Sequence, residues 1–103
     1  MVSTINKIQI LEKYISRNQS VNNIISSTIT KLLERETKRM QDLFHSLKFQ
    51  LKSFEKQYLM NSKDFVKEFE KGNLGDDIDF IEWSATFDMF INAKKSLEIL
   101  NGK

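Results

Sequence analysis

Two series of residues recur every seven positions in the middle of this chain. Leu33, Met40, Leu47 and Phe54 form one series, and Thr30, Thr37, Phe44, Leu51 and Tyr58 form the other, three places earlier in each heptad. Together they make an a/d seam of the coiled-coil type, which only a long helix presents on one side. Val21, Ile24, Ile25, Ile29 and Leu32 widen the apolar stripe upstream, as the core face of a globular or dimeric helix does. A lone helix cannot bury such a seam, so it must pack on the rest of the chain, on a second copy or on a partner. Polar Thr30 and Thr37 at seam positions weaken the preference for a two-stranded coil and leave parallel and antiparallel pairing open.

The surrounding sequence predicts further helices. Ile5, Ile8, Leu11 and Ile15 are spaced as in a short amphipathic helix over residues 5–17, although the alternation of Ile8 and Ile10 also allows a strand at 5–10. Asn18, Gln19 and Ser20 interrupt the pattern, and Ser20 is suited to cap the next helix. That long helix then runs over 21–60 and ends near Leu59 to Asn61. Asn61 or Ser62 can cap a short helix over 63–71, with Phe65 and Phe69 on one face and Gly72 at the position that terminates it. A final helix is expected from about Asp76 to Leu100, with Phe80, Trp83, Phe87, Phe90, Ile91 and Leu97 inward and acids at its positive end. The expected fold is all-α. The long helix returns, through the short connecting helix, as an antiparallel helical hairpin in one domain spanning 1–103, with 1–20, 21–60 and 61–103 as its parts. The stretch 21–33 lacks a partner in that hairpin, and it is expected to mediate dimerisation or to pack against 5–17.

Composition narrows the function. The chain has 103 residues, no Cys, no Pro and three Gly. Disulfides and thiolate metal sites are therefore excluded, and a reducing compartment fits. No segment reads as a secretory signal or membrane span, so a cytoplasmic location is expected. His45 is the single His, with Asp42 one helical turn away as a local pair, and general-base work would need a nucleophile and an orienting acid beside it. The acids Asp76, Asp77, Asp79, Glu82 and Asp88 lack the ligand order of a calcium loop and read first as an acid-decorated helix start, second as a docking surface. No phosphate-cradling glycine loop occurs. No enzyme and no cofactor or metal are expected.

Charge is uneven. Residues 1–63 carry eleven basic and five acidic residues, net +6, while 64–103 carry five basic and nine acidic, net −4. Lys31, Arg35, Lys38, Arg39, Lys48, Lys52 and Lys56 line the long helix. Such a stripe is either a solvated flank or a set of phosphate contacts.

From Phe54 to Leu100 the chain resembles a family of small prokaryotic helical proteins encoded beside small toxin-like partners. The resemblance rests on Phe54, Glu55, Tyr58 and Met60, on Phe65 and Phe69, on the run GNLGDDIDFIEW at 72–83, and on Asp88-Met89. Leu59 stands where the pattern has Gly, so a left-handed helix termination at this point is not implied by the sequence. The resemblance implies an antitoxin that binds a cognate toxin protein. Asp76, Asp77, Asp79, Phe80, Glu82, Trp83 and Phe87 are the partner-binding candidates. The aromatics would anchor either the hairpin or a partner pocket, and the carboxylates would face the basic site of an RNA-cutting toxin in place of phosphates. Leu33, Met40, Phe44, Leu47, Leu51 and Phe54 are the dimer or core seam. The alternatives are a DNA-binding transcriptional regulator, with 5–33 in a ribbon–helix–helix arrangement, and a structural coiled-coil homodimer.

Overall fold

The computed structural model describes residues 3–102, of which Gln19 is described in its backbone only. It is all-helical: α1 spans Thr4–Arg17, α2 Gln19–Tyr58, α3 Ser62–Glu70 and α4 Ile78–Leu100. No strand occurs among the described residues. The chain divides into two compact units, Met1–Arg35 and Glu36–Lys103.

In the first unit, Ser3 caps α1 by accepting from the Asn6 N–H at 3.1 Å. Residues 5–10 lie inside α1, so the strand option at this place is not realised. A single residue, Asn18, separates α1 from α2. Its N–H bonds back to the Tyr14 and Ile15 carbonyls, and its side chain donates to the Tyr14 carbonyl. Ser20, expected as the cap, is already helical, because Asn18 alone breaks the helix and its carbonyl accepts from the Val21 N–H. None of the described residues 3–35 is buried.

The second unit holds the core. Leu47, Leu51, Phe65, Val66, Trp83 and Ala93 are its buried apolar residues. Phe44, Phe54 and Tyr58 of α2 meet rings of α4. Phe44 stacks on Phe90 at 4.8 Å, Phe54 on Trp83 at 5.6 Å, and Tyr58 meets Phe80 edge-on at 5.1 Å. The seam from Phe44 to Phe54 is therefore filled by the chain's own α4, while Met40 is half-buried and Leu33 remains exposed.

Helix ends obey local chemistry. α2 closes on Leu59, which adopts φ +54°, and the Met60 N–H reaches the Glu55 carbonyl at 3.3 Å. This is a six-to-one Schellman closure with leucine in the left-handed position. Asn61 caps α3, accepting from the Asp64 N–H at 2.9 Å and donating to the Asp64 carboxylate at 2.9 Å. Gly72 (φ +78°) ends α3, with the Asn73 N–H on the Glu68 carbonyl, a second Schellman closure. α4 starts two residues later than the acids suggested. Asp77 is its cap and accepts from the Asp79 N–H at 2.9 Å.

Candidate functional site

α2, α3 and α4 meet in an aromatic cluster that encloses a polar link through Ser62. Trp83 is 0% exposed. Its indole lies on Phe65 of α3 with ring centroids 3.8 Å apart and 4° between planes, and on Phe54 of α2. A buried indole N–H needs an acceptor, and the Ser62 hydroxyl supplies it at 2.9 Å. The Ser62 N–H in turn donates to the Glu55 carboxylate at 2.8 Å. Ser62 thus joins α2, α3 and α4, although its sequence position suggested only a cap. Among the described residues no buried side-chain polar atom lacks a partner.

The partner-binding candidates separate into two groups. Trp83 is interior, and Phe80 and Phe87 pack half-buried against the core. Of the two roles the sequence left open for Trp83, anchor of the hairpin or of a partner pocket, its burial against Phe54, Phe65, Tyr58 and Ser62 fits the interior one. Asp79 is also engaged: it accepts a short hydrogen bond from the Tyr58 hydroxyl. That bond, then burial, then the charges of Asp79 and Asp77, push the Tyr58 ionisation up to about 12. Asp77 is exposed while its side chain caps α4, and Asp76 and Glu82 are exposed.

The surface that α4 does offer was not singled out by the sequence pattern. Ile78, Ile81, Ala85 and Met89 recur at spacings of three and four, so they share one face of the helix. All four are exposed, Ile78 by 71%. Glu82 and Asp88 flank them, also exposed. Along its edge, a groove of about 420 Å³ is lined by Gln50, Ser53 and Phe54 of α2 and by Glu82, Ala85, Thr86 and Met89 of α4. α4 is apolar on two sides, and a helix apolar all round is ordinarily covered all round. Here only the aromatic side is covered. The signal that finds this face is the 78, 81, 85, 89 series itself, masked in the sequence by the louder aromatic series on the other side.

The other candidates for chemistry are dispersed. Asp42, the proposed companion of His45, pairs with Lys38 at 3.4 Å, and His45 lies edge-on to Phe44. Among the described residues, no group of three or more His, Cys, Asp or Glu is placed to hold a metal ion. No described helix is long and apolar enough to cross a membrane.

No family model matches this chain, and no curated protein or solved structure matches it.

Proposed function

We propose that this protein is a non-enzymatic protein-binding module, the antitoxin of a toxin–antitoxin pair, which neutralises a small toxin through helical contacts. The observation that carries the binding role is the uncovered apolar face of α4, rimmed by acids. Exposed apolar residues gathered on one helix face mark interaction sites, and charged rims set approach and register. Ile78, Ile81 and Met89 supply the apolar contact, and Asp76, Asp77, Glu82 and Asp88 supply the negative rim. The face is presented on an antiparallel helical hairpin. The order of ring pairs supports that arrangement, since Phe44, Phe54 and Tyr58 meet Phe90, Trp83 and Phe80 in turn. The choice of a toxin as partner rests on the resemblance of residues 72–83, and a basic, RNA-cutting toxin is the partner that the acids suit. The ribbon–helix–helix form of the DNA-binding alternative loses its strand, because residues 5–10 are helical.

The test is co-expression with the product of the adjacent gene, with a tag on one partner, then affinity and size-exclusion chromatography. A stoichiometric complex that rescues growth is expected. Ile81→Glu should break it, since the change places a charge in the middle of the contact. Replacing Asp76, Asp77 and Glu82 with Asn or Gln should slow association by roughly tenfold and flatten its salt dependence. Clean separation of the two proteins, or a complex indifferent to Ile81→Glu, would overturn the reading.

A further inference from the structure

A second surface lies in the first unit. The α1 stripe Ile5, Ile8, Leu11 and Ile15 and the α2 stripe Val21, Ile25, Ile29 and Leu32 keep helical spacing. Ile8, Leu11, Glu12, Ile15, Ser16, Asn22 and Ile29 line one groove of about 360 Å³ between the two helices, so the two stripes look into a common space. No described residue of this unit fills it: Ile5, Ile8, Leu11, Ile29 and Leu32 are between 38% and 68% exposed.

We propose that this groove is filled by the same unit of a second copy of the chain, so that two α1–α2 pairs close into a symmetric four-helix arrangement. Three observations select a second copy. The first is geometry. Two helices with an apolar groove between them are half of a four-helix core, and another helix pair completes it. The second is area. Taking roughly 60–120 Å² for each fully exposed aliphatic side chain, the two stripes with flanking Ile24 and Leu33 leave on the order of 400 Å² of apolar surface uncovered. One side of a standard interface brings about 800 Å², about two-thirds apolar in homodimers, or roughly 530 Å², so the stripes supply about three-quarters of the apolar area of such a side. The third is charge. Residues 18–30 contain no charged residue, so a two-fold axis can pass there without setting like charges against each other. The groove wall itself carries one charged side chain, Glu12.

The test is the molar mass of the full chain by light scattering and sedimentation, from micromolar to hundreds of micromolar. Twice the 12.1 kDa of one chain is expected. Both substituted positions in Ile8→Glu/Ile29→Glu are solvent-exposed in the single chain. This variant should therefore weaken self-association at least about a hundredfold, with the emission of Trp83, buried in the other unit, unchanged. A wild-type chain that stays at 12.1 kDa throughout would overturn the proposal. So would a dimer that survives Ile8→Glu/Ile29→Glu and is split by Ile81→Glu, which would place the contact on α4. Binding of a monomeric chain to anionic vesicles, lost in Ile8→Glu/Ile29→Glu, would assign the groove to a lipid surface instead. Because the toxin contact is placed on α4, loss of the dimer and loss of toxin binding are separate results.

Discussion

Leu59 holds φ +54° with 91% of its surface exposed. A left-handed conformation costs a side-chain-bearing residue roughly 1–2 kcal/mol, and glycine avoids that cost while losing part of the gain through the entropy of its unfolded state. The leucine side chain gives back almost nothing, because so little of it is covered. Leu59→Gly should therefore raise stability by about 0.5–1 kcal/mol, read as a higher urea midpoint at unchanged slope, and a lower midpoint would mean that the exposed side chain contributes to the fold. One residue earlier, Tyr58 donates to Asp79. Its ionisation is raised from 10.0 to about 12, so the protonated form is the one the folded state favours. In that interval the unfolded chain binds fewer protons than the folded chain, and stability falls as pH rises. The contribution is whole below about 10 and disappears as pH passes about 12. The readout is the difference between wild type and Tyr58→Phe. The two urea midpoints should converge as pH climbs through this window, and a constant gap would contradict the assignment.

At the scale of the element, α3 shows how much one small polar residue can organise. Ser62 accepts from Trp83 and donates its N–H to Glu55, all within the core unit. Ser62→Ala would strand the indole N–H in a place water does not reach, a loss of about 1–3 kcal/mol. It should appear as a lower urea midpoint together with a shifted Trp83 emission, while an unchanged midpoint would mean that another acceptor takes over. The elements themselves were largely legible. The heptads gave α2, Asn61 and Gly72 bracketed α3, and the aromatic series gave the inner side of α4. Three features were not. Asn18, Gln19 and Ser20 are all plausible breakers, and only backbone geometry selects Asn18. Asp76 and Asp77 are equally good caps by type, and the choice of Asp77 is made by its reach to the Asp79 N–H. The outward face of α4 escaped notice because apolar residues lie on both sides of that helix, which flattens the periodicity on which such reading depends.

Across the whole chain, burial is unevenly shared, and that inequality should govern dynamics. Every buried residue among those described lies between Leu47 and Ala93, and none lies in 3–35. Helices whose backbone bonds are screened from water by few apolar contacts open with low free energy, while core helices open only with global unfolding. Under the proposed self-association, the first unit gains stability by mass action. Hydrogen exchange measured by mass spectrometry at two protein concentrations addresses both statements at once. Amides of α1 and the first third of α2 should exchange faster than those around Leu47, Leu51, Phe65 and Trp83 at either concentration. On concentrating the protein, protection in the first unit should rise and protection in the second should stay put. In Ile8→Glu/Ile29→Glu the rise should vanish. Uniform protection along the chain would mean that the first unit is stabilised by something other than its own helices or a second copy. A rise confined to α4 would mean that the helix proposed to meet a toxin instead meets itself.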